Sequence, residues 1–356
     1  MTIDNVIRGF TDLERPAAFD EMAEAVLAHQ YVHNSVYRRY CKAIYPQWSK
    51  ALVGADHAVD QKSGDRSGQM EAVRLPSARR LVFLPIEAFK QVPVTTFPPE
   101  KAEKVFESSG TGSGVRSRHY VRDLSIYERA ISAHFAGEFG TGPFLFASCL
   151  PGYIEQGSAS SLLYMVDLLM RRFGVEGSGS VLGDPGHLRR LSDRSRGEGV
   201  ALMVFGAAFG LLDLLETTSF SLPPDAIVIE TGGMKTHRRE ITRATLHRRL
   251  REGFGDASVR SEYGMCELLS SCYSRGDGIF HPPPWMRFQV VDPAYPFESL
   301  EEGREGALAV LDLANVYSAS AVLTQDRAVR RGDGFEVLGR LEHAELRGCN
   351  FLLDNV

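Results

Sequence analysis

The chain has 356 residues, 44% of them hydrophobic, which is enough to bury one large core or two of ordinary size. Its 45 acidic and 40 basic residues give a net charge of −5. This charge excludes a general nucleic-acid-binding protein, which would be strongly basic. The five cysteines include no C-x-x-C pair, and no apolar run approaches the roughly 20 residues that span a bilayer. Since no secretory signal is evident either, we expect a cytoplasmic protein with reduced thiols and no membrane span.

The N-terminal residues 1–50 place apolar side chains at helical spacing and predict a pair of packed helices. The predicted buried stripe consists of Phe19, Met22, Val26 and Leu27, continued by Tyr31, Val36 and Tyr40. Residues 54–70 are rich in Gly, Asp, Ser and Gln and predict a loop. The apolar residues 81–85 predict a buried strand after that loop.

A pattern of strand, turn and helix then repeats along the chain. Residues 144–148, 200–205 and 226–229 are apolar and predict strands, and residues 161–173 predict a helix that ends at Gly174. This repetition predicts an α/β fold with a largely parallel sheet, in which ligands bind beyond the carboxyl ends of the strands.

From about residue 286 the pattern changes to strands separated by turns. The predicted strands cover residues 286–291, 308–313, 321–324 and 335–339. We therefore expect an α/β core over residues 1–285, a smaller β-rich subdomain over residues 286–338, and a hinge-like tail over residues 339–356.

One predicted helix, over residues 235–251, is unusually basic. It carries Lys235, Arg238, Arg239, Arg243, Arg248, Arg249 and Arg251. Two interpretations stay open: a surface that docks an acidic partner or carrier protein, and an ordinary solvated helix face.

A run of seven small residues is the strongest candidate for a ligand-binding loop. Its members are Ser108, Ser109, Gly110, Thr111, Gly112, Ser113 and Gly114. Such a backbone can aim several N–H groups at one anion, and Arg116, Arg118 and His119 follow directly, with guanidinium groups suited to phosphate. The spacing fits neither G-x-x-x-x-G-K-[ST] nor G-x-G-x-x-G.

A Ser/Gly run is also typical of a flexible linker. Here it lies between the strand predicted at residues 81–85 and a helix that a capping box, Ser125 to Glu128, is predicted to open. Because a glycine-rich loop held between packed elements is more often a site than a linker, we expect it to bind phosphate.

Four further segments follow the loop in a definite order along the chain. They are Gly232-Gly233, Tyr263-Gly-Met-Cys-Glu267, Thr324-Gln-Asp326, and the segment from Gly339-Arg340 to Gly348. With the loop, they resemble the motif series of the adenylate-forming superfamily.

Other segments are similar to a narrower family, the acyl-protein synthetases of bacterial luminescence (long-chain-fatty-acid–protein ligases). These segments are Phe83-Leu-Pro-Ile-Glu-Ala-Phe-Lys90, Ser117-Arg-His-Tyr120, Leu150-Pro-Gly-Tyr153 and Leu346-Arg-Gly-Cys349. The similarity covers most of the chain, from about residue 80 to the end.

The resemblance implies a reaction in two steps that uses ATP and Mg²⁺. A carboxylic acid, fatty or related, attacks the α-phosphorus of ATP to give an acyl-adenylate and pyrophosphate, and the acyl group then passes to a thiol. It also implies an adenylate-forming core of α/β type with mixed and parallel sheets. The C-terminal lid domain of the superfamily, with its catalytic lysine, is not expected after residue 356.

The resemblance also implies a role for each matching residue. Ser108 to Gly114 would hold the β- and γ-phosphates with Arg116, and Glu267 would bind Mg²⁺. Asp326 would bind the ribose hydroxyls, with Arg340 as a second ribose or phosphate contact. The adenine and acyl pocket would be lined by Gly232, Gly233, Tyr263 and Gly264.

The acyl acceptor implied by the resemblance is Cys349, which would deliver its acyl group to a partner reductase or transferase. Two departures from the motifs bear on activity: Gly112-Ser113 replaces a Thr-Gly pair in the loop, and Cys266 replaces a Thr before Glu267. Both remove hydrogen-bonding capacity near the expected phosphates. Two alternatives therefore stay open, an acyl- or aryl-CoA or carrier-protein ligase that uses an external thiol, and a catalytically inactive scaffold.

Overall fold

The computed structural model describes residues 1–13, 16–44, 81–108, 115–150, 159–217, 220–232, 241–255 and 257–341. The helices of these ranges are α1 (Ile3–Gly9), α2 (Pro16–His33), α3 (Ser35–Ile44), α4 (Ala88–Gln91), α5 (Leu124–Phe139), α6 (Ser161–Phe173), α7 (Pro185–Glu198), α8 (Ala208–Thr217) and α9 (Arg243–Phe254). Short 3₁₀ turns cover Pro99–Lys101 and Leu313–Asn315. The predicted loop over residues 54–70 lies outside the described ranges.

The strands up to residue 263 are β1 (Leu84–Pro85), β2 (Lys104–Glu107), β3 (Arg118–Val121), β4 (Leu145–Cys149), β5 (Gly179–Ser180), β6 (Leu202–Ala207), β7 (Ile227–Thr231) and β8 (Ser258–Tyr263). The later strands are β9 (Cys272–Ser274), β10 (Ile279–His281), β11 (Met286–Asp292), β12 (Tyr295–Ser299), β13 (Glu305–Asp312), β14 (Ala321–Arg331) and β15 (Gly334–Arg340).

The chain divides into two compact units. The first contains residues 1–126, 284–330 and 338–356, and the second contains residues 127–283 and 331–337. The boundaries 1–285, 286–338 and 339–356 expected from the sequence stay a prediction.

The first unit is built on an antiparallel sheet in the order β12-β11-β13-β14, with the short β1 parallel to β14. The apolar stripe predicted on the N-terminal helices is buried here, from Phe19 to Tyr40. Three helices, α1 to α3, occupy the described part of that region instead of the predicted pair. Asn34 separates α2 from α3, because its side-chain oxygen accepts the N–H groups of Val36 and Tyr37 at 3.1 and 3.0 Å.

A buried amide ties the N-terminal helices to the β-rich residues of the first unit. The Gln30 side chain is fully buried and donates to the carbonyl of Asn315 at 2.9 Å and to the hydroxyl of Ser320 at 3.0 Å. It also accepts the N–H of Ser320 at 3.0 Å. Because a buried amide is stabilising only when its polar atoms are paired, this contact fixes α2 against residues 315–320.

The second unit contains the predicted parallel sheet. Strands β5, β4, β6, β7 and β8 lie side by side in that order and run parallel, and β9 and β10 continue the sheet antiparallel. The first residues of β15 pair with β10. The apolar runs of β4, β6 and β7 are buried between helices, as continuous hydrophobic strands require.

The sequence predicts one helix end correctly and one helix start wrongly. Helix α6 covers Ser161–Phe173 and ends at Gly174, as predicted. The capping box at Ser125 is wrong, because α5 begins one residue earlier and the Asp123 carboxylate accepts the Ser125 N–H at 2.9 Å. The basic segment forms a helix over Arg243–Phe254, while residues 235–240 lie outside the described ranges.

Candidate functional site

The Ser/Gly loop closes a two-stranded antiparallel hairpin of the first unit. Strand β2 precedes the loop and β3 follows it, and Glu107 pairs with Arg118 at the end of the hairpin nearest the loop. The Ser108 N–H donates to the Ser117 carbonyl at 3.1 Å, and the Ser108 hydroxyl accepts the Ser117 N–H at 3.0 Å. Ser109 to Gly114 lie outside the described residues, so their phosphate role stays a prediction.

Arg116 lies beside this hairpin and makes an exposed ion pair. Its Nη1 atom is 3.5 Å from Oε2 of Glu107, and the two side chains are 59% and 36% exposed. Exposed pairs of this kind contribute about 0–1 kcal/mol, so Arg116 can exchange Glu107 for a phosphate at little cost. His119, in contrast, is buried with its ring edge against Phe89, which removes it from the group of exposed cations.

Asp326 and Arg340 meet in the first unit, although 13 residues separate them in the sequence. The Arg340 Nε lies 3.0 Å from Oδ1 of Asp326, and the two side chains are 55% and 10% exposed. The Thr324 hydroxyl accepts the Asp326 N–H at 3.1 Å and donates to the Leu308 carbonyl at 2.8 Å, which fixes the backbone of β14 next to the carboxylate.

This pair has the chemistry that a ribose site needs. A carboxylate has about four acceptor positions, so Asp326 can accept ribose hydroxyl groups while it keeps its ion pair with Arg340. Arg340 is the exposed member and can add a contact to a ribose or phosphate oxygen.

In the second unit, the ends of β7 and β8 place two predicted segments side by side. The strands are parallel, and Thr231 pairs with Glu262. Gly232 follows β7 with a φ of 77°, a left-handed conformation that favours glycine, and Tyr263 is the last residue of β8. Gly233 lies outside the described residues.

The Tyr263 ring is half-buried in an aromatic group at the end of β8. Its centroid is 5.5 Å from that of Phe280 and 5.4 Å from that of Phe335. This packing holds the ring in place, and it gives the segment after β8 a fixed starting direction.

Glu267 is buried in a turn, with 5% of its surface exposed. The Leu268 N–H donates to the Met265 carbonyl at 3.2 Å in that turn, and no helix begins there. The sequence alone also allows Glu267 to be an exposed residue at the start of a helix, and the structure shows that this interpretation is wrong. A single buried carboxylate suits Mg²⁺, which keeps several waters, and the described residues contain no group of three or more His, Cys, Asp or Glu side chains arranged to hold a metal.

A buried charged group beneath this edge was not anticipated from the sequence. Glu230 is buried, lies 3.1 Å from the Arg243 Nε and 3.5 Å from the His247 Nε2, and His247 also contacts the Ser261 hydroxyl at 2.9 Å. Arg243 is thus not part of a solvated basic face. Glutamates within otherwise apolar strand segments were the available signal.

Glu262, the neighbour of this group on β8, is also buried. The Thr231 hydroxyl donates a hydrogen bond to its carboxyl group. Burial, reinforced by the nearby Glu230, raises the pKa of Glu262 to about 7, against an opposing effect of the Thr231 bond. Glu262 therefore carries a proton over much of the neutral pH range.

The four cysteines in the described part of the chain are free thiols and buried. They are Cys41, Cys149, Cys266 and Cys272. Burial raises the pKa of Cys41 to about 12 and that of Cys149 to about 11, so neither thiol is readily ionised. Cys349, the predicted acyl acceptor, lies outside the described residues.

Among the helices that the structure describes, none combines the length and apolar character needed to cross a bilayer.

The fold is similar to that of solved CoA ligases. A structure of 2-hydroxyisobutyryl-CoA ligase in complex with 2-HIB-AMP and CoA matches with a TM-score of 0.58 and 16% identity, covering 93% of this chain and 69% of that chain. MatB from Rhodopseudomonas palustris with bound ATP matches with a TM-score of 0.50 and 16% identity, over 69% of this chain and 49% of MatB. An ATP-bound RpMatB-BxBclM chimera matches with a TM-score of 0.51 and 17% identity, over 69% and 49%.

Comparison of the sequence with protein-family models gives no match, and comparison with curated proteins gives none either. The chain spans about half the length of MatB and of the chimera.

These structures confirm the predicted fold class, an α/β core of the adenylate-forming type with mixed sheets. The narrower prediction, an acyl-protein synthetase, stays a prediction.

Proposed function

We propose that this protein activates a carboxylic acid with ATP and transfers the acyl group to a thiol. In the first step a carboxylate oxygen bonds to the α-phosphorus, the bond from that phosphorus to the β-phosphate bridging oxygen breaks, and pyrophosphate leaves. In the second step a thiolate sulfur bonds to the acyl carbon, the carbon–oxygen bond to the adenylate breaks, and AMP leaves. The chain then acts as an acid–thiol ligase.

The observation that carries this proposal is the Asp326–Arg340 ion pair. The motif resemblance assigns both residues to the ribose side of the nucleotide on sequence alone, and their side chains lie 3.0 Å apart. The similarity of fold to 2-hydroxyisobutyryl-CoA ligase, which was solved in complex with 2-HIB-AMP and CoA, adds support.

The remaining roles follow the motifs. Ser108 to Gly114 and Arg116 bind the phosphates, and Gly232, Gly233, Tyr263 and Gly264 line the adenine and acyl pocket. Glu267 holds Mg²⁺, which offsets the phosphate charge when it is bound.

The acyl acceptor in this proposal is Cys349, and the acid is a fatty acid. A thioester on Cys349 would then serve a partner reductase, transferase or carrier protein. The buried state of Cys41, Cys149, Cys266 and Cys272 supports the choice, because buried thiols are poor nucleophiles. Free thiols throughout the described ranges also support the proposed cytoplasmic location.

An external thiol is the second candidate acceptor. It is favoured by one observation, the likeness of fold to a ligase solved with CoA. Acid, ATP and the protein alone should give a hydroxylamine-sensitive protein adduct if Cys349 accepts the acyl group. Without an adduct, formation of acyl-CoA after addition of CoA would identify the external thiol.

The test of adenylation itself is acid-dependent exchange of labelled pyrophosphate into ATP, measured with a mixture of fatty acids. Asp326→Ala should lower exchange at least about 30-fold, since the loss of a charged hydrogen-bonding partner costs about 2 kcal/mol. The matched control is Glu305→Ala, which removes an exposed partner of Arg327, 3.0 Å away, in the same sheet. Absence of exchange in the wild-type protein would favour the inactive scaffold and overturn the proposal.

A further inference from the structure

The edge formed by β7 and β8 contains a side-chain contact that the motif assignment does not explain. Thr231 and Glu262 are the paired residues immediately before Gly232 and Tyr263. Their side chains are buried, and the Thr231 hydroxyl donates to the Glu262 carboxyl group. Since parallel strands end at the same edge, this bond joins the starting points of both predicted ligand-binding segments.

The same carboxyl group accounts for the glycine at position 264. A Cβ atom on Gly264 would lie 2.5 Å from Oε1 of Glu262, and the next side chain, Ser271, is 3.7 Å away from it at Cβ. Gly264 is not among the glycines with positive φ, so its backbone conformation is open to other residues. The space that a side chain would need is therefore taken by Glu262 rather than forbidden by backbone strain.

The surroundings of Glu262 favour the neutral acid. Glu230 on β7 faces it with a second carboxylate, and Tyr127 on α5 and Tyr273 on β9 are buried phenols that its charge acts upon. Burial and Glu230 together raise the pKa of Glu262 to about 7. When Glu262 ionises, a second buried negative charge appears beside Glu230, which is unfavourable in a site of low dielectric constant.

From this geometry we propose that Glu262 is a positioning residue for the adenylation site. By bonding to Thr231 and filling the space beside Gly264, it holds the end of β7, where Gly232 begins, at a fixed separation from the Tyr263–Glu267 segment. The inference rests on the proposed function, because the segment that it positions carries the proposed magnesium ligand.

The first test is the pH dependence of pyrophosphate exchange in the wild type and in Glu262→Gln, which mimics the neutral acid. With a pKa of about 7, the protonated fraction falls from about 0.76 at pH 6.5 to about 0.03 at pH 8.5. The ratio of wild-type kcat to that of the Gln variant should therefore fall roughly 25-fold over this range. The control Glu252→Gln, on an exposed carboxylate paired with Arg248, should keep a constant ratio.

The second test is the coupling between positions 262 and 264. Gly264→Ala should reduce kcat at least about tenfold in the wild type, because the new methyl group meets the Glu262 carboxyl. In the Glu262→Ala background the same change should cost less than about threefold, since the carboxyl is gone. Equal losses in the two backgrounds would overturn the positioning role.

A third measurement does not depend on activity. The infrared band of a protonated carboxyl should be present at pH 6, disappear with an apparent pKa of about 7 and be missing from Glu262→Gln. If the wild-type protein shows no pyrophosphate exchange at any pH, the proposed function is wrong, but the infrared band of Glu262 should still be observed. The positioning role is wrong, while the proposed function stands, if three results coincide. Pyrophosphate exchange is normal, the ratio of wild-type kcat to Glu262→Gln kcat does not change with pH, and the losses of kcat from the changes at positions 262 and 264 are additive.

Discussion

The raised pKa of Glu262 predicts how the free energy of unfolding depends on pH. Its pKa is raised from an ordinary value of 4.5 to about 7. Since one pKa unit corresponds to about 1.4 kcal/mol, the difference corresponds to about 3 kcal/mol. The folded protein binds the proton more tightly than the unfolded chain, so this contribution to stability is complete below about pH 4.5 and is lost as the pH rises through 7.

The perturbation that isolates this effect is Glu262→Gln. The amide keeps the size of the carboxyl group and an acceptor oxygen for the Thr231 hydroxyl, but it cannot ionise. The free energy of unfolding of the Gln variant minus that of the wild type should therefore increase by about 3 kcal/mol between pH 4.5 and pH 7.5. Titrating groups that do not interact with Glu262 are common to both proteins and cancel in this difference.

The assay is urea-induced unfolding followed by circular dichroism at steps of half a pH unit, with the linear dependence on urea fitted at each pH. Glu252→Gln serves as the control, because the Glu252 side chain is 61% exposed and its removal should leave the pH dependence unchanged. Wild-type and Glu262→Gln curves that stay parallel within about 0.5 kcal/mol would refute the buried neutral carboxyl.

Four other changes test separate parts of the molecule. Arg116→Lys should raise the Michaelis constant for ATP roughly 5-fold, because a lysine cannot pair with phosphate through two N–H groups; an unchanged constant would place Arg116 outside the site. Glu267→Gln should abolish pyrophosphate exchange with a melting temperature within a few degrees of the wild type, and retained exchange would exclude it as the magnesium ligand. Cys349→Ala should keep exchange and lose the hydroxylamine-sensitive adduct, whereas an adduct that persists would show another acceptor. Gln30→Ala should lower the free energy of unfolding by about 3 kcal/mol, since it removes the buried acceptor of the Ser320 N–H and a donor to the Asn315 carbonyl; a loss below about 0.5 kcal/mol would contradict this account.

The parallel part of the fold was predictable from sequence because its strands are continuous apolar runs. Strands β4, β6 and β7 are buried on both faces, so each appears in the sequence as an unbroken hydrophobic segment. Strand β8 has the sequence Ser-Val-Arg-Ser-Glu-Tyr and fits neither an apolar run nor regular alternation. Two of its polar residues, Ser261 and Glu262, are buried, because His247 on α9 and Thr231 on β7 form hydrogen bonds with them.

The sequence predicted part of the candidate site, as it predicted part of the fold. Motif order along the chain placed Asp326 and Arg340 in one group, and their side chains do meet. The contacts that hold such groups in place were not predictable, because their partners are remote in sequence. Thr231 and Glu262 are 31 residues apart, and Gln30 and Asn315 are 285 residues apart. No local pattern identifies a pair of this kind.

Gly264 illustrates why a motif residue can have a structural cause that differs from its assumed role. A glycine in a ligand-binding segment is usually explained by close approach of the ligand, and that explanation predicts that any side chain at position 264 blocks substrate. The structure supplies a different cause, because the nearest obstacle is the Glu262 carboxyl of the protein itself. The two explanations diverge in the Glu262→Ala background, where a blocked substrate would still be blocked but the carboxyl obstacle is absent. A loss of less than about threefold on Gly264→Ala in that background would therefore assign the glycine to the packing of β8 and leave Tyr263 and Glu267 as the residues of the segment that serve the ligand.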